Sequence, residues 1–370
     1  MIDERHTKSV PILDLGPAHS ELKPSLMAAF ERVLDRGDFI MGADVKEFES
    51  EAARLLGVKH AVAVNSGTDA LVIALRALGV GKGDVVITTP FSFFATSEAI
   101  DQVGATPRFV DIDPATFNID PALVERAIDE RVKAVIPVHL YGRAVNMSAL
   151  SAICETRGIA ILEDCAQSFG ARWRDAFTGA LGDAGAFSFF PSKTLGALGD
   201  AGLITFRDDA HASEARALRA HGAAKKYHNE KIGYNSRMDT VQAALLRVKL
   251  PHILKWTKQR FDVAQRYNEL LGGLSGVTCP ELVDGHVFHQ YTVRITKADR
   301  DVVQKRLAEA GVSTMVYYPI PIHKLPVYAM TESLLHSERA ASEVLSLPIW
   351  PEIDDETMRY VADSLRAAVQ

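Results

Sequence analysis

Between residues 22 and about 210 the chain alternates helix-patterned and strand-patterned segments, and this alternation restricts the fold more than any other feature. Residues 22–36 and 44–56 carry apolar side chains at helical spacing, with Gly57 as a stop signal after the second. Short apolar runs at 60–64, 84–88, 106–110, 134–138, 159–163, 184–189 and 202–206 have the character of strands. Helical patterns at 69–78, 94–103, 121–130 and 148–157 separate several of them. Apolar strands joined by helices predict an α/β protein with a mostly parallel sheet flanked by helices on both faces.

A long helical pattern then runs over 239–271, and Pro251 is predicted to kink it. Beyond it lie a strand near 287–296, a helix near 299–310, the proline-rich turn from Tyr317 to His323, and helices near 337–346 and 354–369. The pattern predicts a large domain over 1–250 and a smaller C-terminal α/β domain over 251–370, joined through the long helix. A length of 370 residues accommodates both.

Bulk composition removes several function classes. A net charge of −6 without a basic tract argues against a dedicated nucleic-acid or membrane-surface binder. The polar N-terminus lacks an apolar core for export, and no run of about 18 apolar residues occurs. Cys154, Cys165 and Cys279 are too few and too scattered for a disulfide framework or a zinc site. The expectation is a cytoplasmic protein without a metal.

The chemistry concentrates at a few positions. Lys193 follows the strand-like run ending in Ser188-Phe-Phe-Pro-Ser and opens the glycine-rich stretch to Gly202. Most lysines are solvated, but a loop of this kind lets backbone and a ligand approach closely. Glu163-Asp164-Cys-Ala-Gln167 closes another strand-like run, placing an acid where ligands gather in open α/β sheets. A lysine amine for a Schiff base and a carboxylate to keep a pyridine nitrogen protonated are what pyridoxal 5′-phosphate requires. Taken alone, Asp164 is equally a solvated loop acid, and Gln167 either contacts the ring hydroxyl or packs in the loop.

Ser66-Gly67-Thr68 stands between a strand and a helix, where free amides bind phosphate; the alternative is an ordinary N-cap supplied by Thr68. Phe93 could stack on a planar ring or fill the core. The segment 218–231 is a local basic island, either a solvated loop or a site for an anionic substrate such as a diphosphate. The chain has no Walker loop, no dinucleotide-binding glycine fingerprint, no His-Glu-x-x-His and no nucleophile elbow.

With these residues assembled, the chain resembles the DegT/DnrJ family of sugar-nucleotide aminotransferases, enzymes of the aspartate-aminotransferase-like fold type I. Its landmarks are Asn65 to Leu71, Phe109 to Asp113, Glu163 to Gln167, Ser188 to Gly202 and Gly233 to Asp239, in order from about residue 10 onward. The resemblance implies that Lys193 bonds the cofactor and later moves the substrate proton. It implies that Asp164 pairs with the ring nitrogen, Gln167 contacts the ring oxygen and Phe93 stacks on the ring. Gly67, Thr68 and Ser188 would hold the phosphate, joined by Asn235 across a homodimer interface. Arg237, Tyr318 and His323 would contact substrate. Lysine rather than histidine at 193 favours amino transfer over dehydration.

The implied reaction moves the amino group of L-glutamate to a nucleoside-diphosphate keto-sugar. The segment Pro90 to Thr96 looks most like members acting on 3-keto sugars; a C4-keto sugar or a cyclitol ketone is the alternative. Tyr317-Tyr318-Pro319 departs from the His-Tyr-Pro of many relatives, which bears on the sugar contacts. A non-catalytic cofactor-binding regulator is the reading from another class, and the lack of a DNA-binding segment argues against it.

Overall fold

The computed structural model describes residues 8–225 and 227–370. The N-terminal residues 1–7 and Lys226 of the basic island lie outside the described residues. Among the described residues the centre is a seven-stranded sheet. Its order is His60–Val64, Gly202–Phe206, Ala184–Ser188, Ala160–Asp164, Val132–Val135, Val85–Thr88 and Thr106–Phe109. The four pairs from Ala184–Ser188 outward to Thr106–Phe109 are parallel. Gly202–Phe206 runs antiparallel to both of its neighbours, so the sheet is mostly rather than wholly parallel.

Side-chain alternation explains why helices cover both faces. On His60–Val64, Ala61 and Ala63 enter a core with Leu22, Leu26, Val33, Phe48 and Leu246, contributed by helices Gly16–Arg36, Ala43–Leu56 and Thr240–Lys249. Val62 and Val64 point the other way, into a core with helices Gly67–Ala77 and Asp209–Leu218. Successive strand residues face opposite sides, so a strand buried on both faces has no polar stripe. The far half of the first face is covered by Pro121–Ala127 and Met147–Glu155.

A second core forms around Ile253–Leu271, a three-stranded antiparallel sheet (Val277–Thr278, Tyr291–Ile295, Val344–Leu347), and helices Arg300–Glu309 and Asp355–Ala368. Val10 packs into it and bridges to Val312, so the first described residues join the C-terminal part. The kink at Pro251 is a 3₁₀ turn, Leu250–His252, between two helices.

Three elements differ from the sequence reading. The first helix begins at Gly16, with Pro17 in its opening turn, where a missing amide proton costs nothing. Asp209–Leu218 is a helix that the pattern did not single out, capped by Asp208 through the amides of Ala210 and His211. The helix placed at 337–346 ends at Glu343, and Val344–Leu347 pairs with Tyr291–Ile295 instead. That run is apolar and wholly buried, so ladder pairing overrides its helical spacing.

Glu163 ties the underside of the sheet together. Its carboxylate is fully buried and accepts from the amides of Gly179 (2.9 Å), Leu181 (2.8 Å) and Gly182 (2.7 Å). The Val145 amide donates to His139 Nδ1 at 3.0 Å, which leaves the proton on Nε2 to be donated to Glu163 at 2.9 Å. Cys165 joins these two side chains, but both are already saturated internally and burial pushes its thiol well up. The cluster is a structural knot, not a metal centre. Replacing Glu163 with Ala leaves four donors unpaired, three amides and the His139 Nε2–H, and should cost roughly 3–5 kcal/mol. Urea unfolding measures this, and an unchanged midpoint would contradict it.

Candidate active site

The carboxyl ends of the central strands open into a cavity of about 470 Å³. Lys193, Asp164, Gln167, Ser188, Gly67, Thr68, Phe93 and Tyr318 all line it, so residues 251 positions apart in sequence meet in one space. Neighbouring parallel strands make the central meeting inevitable. Asp164 ends one strand and is in register with Ala186 of the next, whose continuation carries Ser188 and then Lys193.

At the phosphate end, Ser66 caps the helix Gly67–Ala77 by accepting from the Asp69 amide at 3.1 Å. The cap is therefore Ser66, not Thr68, because its extended backbone points the hydroxyl back over the first turn. The amides of Gly67 and Thr68 precede the first intrahelical bond and face an anion favourably. Gly67 is required by close approach: a Cβ there would lie 2.6 Å from Ser188 Cβ.

Asp164 accepts from Thr96 Oγ1 on Oδ2 (2.8 Å) and from the Ala166 amide on Oδ1 (3.1 Å). Burial lifts its carboxyl above the ordinary range, opposed by those two bonds and then by Lys193. Lys193 is pulled down to about 8 by burial, with Asp164 working in the opposite direction. Gln167 has a fixed orientation. Its Oε1 accepts from the Tyr141 amide at 2.7 Å, and its Nε2 donates to the Tyr318 hydroxyl at 2.6 Å. Tyr141 and Tyr318 both hold left-handed backbone angles, φ 57° and 63°, which is uncommon for bulky residues.

Phe93 is 63% exposed at the cavity wall and so does not belong to the core. Asn235 and Arg237 line a neighbouring recess rather than the cavity itself, with Asp200 common to both spaces. Arg237 has no ion pair or hydrogen bond among the described residues. His323 is not brought to the cavity. It is buried in the turn Ile322–Lys324, with Nε2 3.2 Å from Glu338. The basic island does not form one cationic face: Arg219 is buried against Glu49 and the Ala63 carbonyl, and Lys231 pairs with Glu214.

Comparison with known proteins agrees with this geometry. Residues 20–366 match the DegT/DnrJ/EryC1/StrS aminotransferase family. The chain belongs to that family. A relative from Geobacillus stearothermophilus named "Pleiotropic regulatory protein" is 48% identical, with 96% of this chain and 98% of that protein aligned. A UDP-N-acetyl-3-dehydro-alpha-D-glucosamine 3-aminotransferase from Acidithiobacillus ferrooxidans is 41% identical, over 97% of each chain. The crystal structure of Streptomyces venezuelae DesV in complex with a ketimine intermediate superposes with a TM-score of 0.95 at 41% identity, covering 98% of this chain and 99% of that one.

This chain is accordingly a pyridoxal 5′-phosphate-dependent aminotransferase. The residues present fit the cofactor: an anion cradle without a Cβ at Gly67, a buried carboxylate lacking a cationic hydrogen-bond partner at Asp164, and an amine of lowered basicity at Lys193.

His289 and Gln290 also line the cavity, and the sequence reading missed them. Both are buried, and His289 Nδ1 and Gln290 Oε1 have no partner. Burial, then Lys193 and Arg260, push His289 well below its usual 6.5, so the ring is neutral. Their position depends on the His289 amide bonding the Tyr141 carbonyl (2.9 Å), a contact between distant segments that local pattern does not reveal.

The lowered basicity of Lys193 has a definite sign. Below pH 8 the ammonium predominates and cannot attack an aldehyde; above it the free amine does. The rate at which apoprotein captures the cofactor covalently should rise with pH through a midpoint near 8, followed by stopped-flow absorbance. A midpoint at the ordinary 10.5 would show that the amine is solvated.

Proposed function

We propose that the enzyme transfers the amino group of L-glutamate to the 3-keto carbon of a nucleoside-diphosphate sugar. The observation that carries this reading is the convergence of Lys193 and Asp164 on one cavity beside an unpaired Arg237. When bound, the cofactor supplies an electron sink for the carbanion formed at the substrate α-carbon. Lys193 is displaced as glutamate enters. Its Nζ would then take the α-proton and give it back two atoms away, on the cofactor carbon across the transferred nitrogen. Water would release the carbon skeleton of glutamate as 2-oxoglutarate while the cofactor retains the amino group. The same proton movement in reverse would deliver that group to the keto-sugar, whose carbonyl oxygen leaves as water.

The other residues position and neutralise. Asp164 keeps the ring nitrogen protonated, while Gly67, Thr68 and Ser188 hold the phosphate. Gln167 approaches the ring oxygen, and Phe93 stacks on the ring. Arg237 and Tyr318 serve the substrate, with His289 and Gln290 offering further polar contact to its hydroxyl groups. Support for the 3-keto position comes from the Acidithiobacillus relative, named for amination at that carbon, and from the likeness of Pro90 to Thr96. The regulatory name of the Geobacillus relative does not alter this, because Lys193 and its buried counter-acid are the apparatus of turnover.

Two copies complete the site in this reading. Phe190 is 52% and Ile40 48% exposed, apolar surface at the cavity and the recess that a partner would cover. Asn235 and Arg237 then act in the partner's cavity. Among the described residues no helix is long and apolar enough to cross a membrane.

Three measurements test the proposal. Lys193→Ala should abolish covalent cofactor attachment and turnover while the dimer stays folded; unchanged turnover would remove the assignment. Mixing Lys193→Ala with Asn235→Ala protomers should regenerate about one intact site in four after random exchange of a two-fold dimer. No recovery despite proven exchange would exclude shared sites. A panel of nucleotide 3-keto- and 4-keto-sugars, assayed for glutamate-dependent amination, should favour the 3-keto compounds. Preference for 4-keto sugars would overturn the regiochemistry and leave amino transfer intact.

A further inference from the structure

We propose that Ser92 and Thr96 form a hydrogen-bond relay that positions the Asp164 carboxylate against the ring nitrogen of the cofactor. The inference rests on the assignment of Asp164 to that nitrogen. All three side chains are buried, at 3%, 1% and 5% exposure, and all three line the active-site cavity.

The direction of the relay follows from counting protons. An ionised carboxylate only accepts, so the Thr96 hydroxyl donates across the 2.8 Å contact to Oδ2. A hydroxyl has one proton. The 3.1 Å contact between Ser92 Oγ and Thr96 Oγ1 is then filled by the Ser92 proton, with Thr96 accepting. Oδ1 is held separately by the Ala166 amide. Each carboxylate oxygen thus has one fixed donor from the protein, and the lone pairs that remain are left for the ring.

The relay is built from local structure. Ser92 lies in the bend three residues before the helix Ala95–Gln102 and Thr96 is its second residue, and the bend brings the two hydroxyls to 3.1 Å. Backbone bonds from Thr96 to the Phe93 carbonyl (3.2 Å) and from Ser97 to the Phe94 carbonyl (3.1 Å) hold that turn. A bond donated to a charged acceptor in a dry site is stronger than a neutral one, and a donor polarised by a second hydroxyl is stronger again. Thr96 and Ser92 are positioning residues: they act on the ring through Asp164.

The test compares apoprotein affinity for pyridoxal 5′-phosphate with affinity for 1-deazapyridoxal 5′-phosphate, which has carbon in place of the ring nitrogen. Wild-type protein should favour the natural cofactor. Thr96→Val, of nearly the same shape, should weaken pyridoxal phosphate binding roughly tenfold or more, the effect of losing one bond to a charged group. It should leave the deaza analogue within about twofold, inside the spread of a neutral surface change. Thr96→Ser should restore the preference. Ser92→Ala, which leaves Thr96 in place, should give a smaller loss in the same sense and carries the test if Thr96→Val does not fold. Equal weakening of both ligands would reveal a merely structural role, and no weakening of either would likewise overturn the relay. If wild-type protein does not distinguish the two ligands, the Asp164 assignment and the relay fall together. Glutamate-dependent amination, measured separately, would still stand.

Discussion

A carboxylate almost entirely removed from water, Asp164, is the constraint on which the site depends. A buried charge is costly unless donors and an opposite charge meet it. The fold answers with two fixed donors, one from the helix Ala95–Gln102 and one from the turn after the strand itself. The opposite charge comes from elsewhere. Because Ala160–Asp164 and Ala184–Ser188 are parallel neighbours, their carboxyl ends emerge at the same edge, and the loop after the second brings Lys193 near the acid. The sheet is thus the device that sets the separation of acid and amine, and the loops need only finish the approach.

The smaller C-terminal part meets this edge at several points, Asp111, Pro90 and Gly142 among them, and Tyr141 carries contacts that bear on Gln167. Its amide orients Gln167, and its carbonyl accepts from the His289 amide and, at 3.3 Å, from His286 Nε2. Tyr318 meets the other end of Gln167. Left-handed backbone at a bulky residue costs about 1–3 kcal/mol and persists only where surroundings over-determine it. Tyr141 and Tyr318 are both held in this way, on opposite sides of one amide. A shift of the C-terminal part therefore bears on Gln167, whose rotation would exchange a donor for an acceptor, as well as on His289, Gln290 and Tyr318 in the cavity wall. Gly142 allows the closure, since a Cβ there would lie 2.7 Å from Val287.

Legibility in the sequence tracks how local the determinants are. The strands carrying Asp164 and Ser188 were readable because they are continuous apolar runs, buried on both faces, ending in polar residues that a core would not tolerate. Lys193 was readable from the glycine-rich stretch behind it. The strand Val344–Leu347 was not, because its apolar spacing also suits a helix and only pairing with Tyr291–Ile295 decides between them. The cap at Ser66 was misplaced by two residues, a backbone angle being invisible in composition. His289 and Gln290 lay hidden for a different reason: their role arises where two distant segments dock. In the basic island Arg219 turns inward to Glu49, since charge in sequence carries no direction.

Electrostatics also bears on the proposal that two copies complete the site. A helix N-terminus offers roughly half a unit of positive charge, against a phosphate that carries nearly two. Gly67, Thr68 and Ser188 supply dipoles and hydroxyls, and among the described residues the one formal cation lining the cavity is Lys193, whose amine must be uncharged to react. Free guanidinium charge does exist nearby, on Arg237, but it faces the recess beyond Asp200. On the proposed function, a dianionic cofactor and a diphosphate substrate call for that charge at the cavity mouth. In the proposed dimer, two copies related by a two-fold axis would supply it without any movement of the chain, and the same docking would cover Phe190 and Ile40. The exposed apolar surface and the guanidinium set beyond Asp200 would then answer to the same proposed contact between two copies.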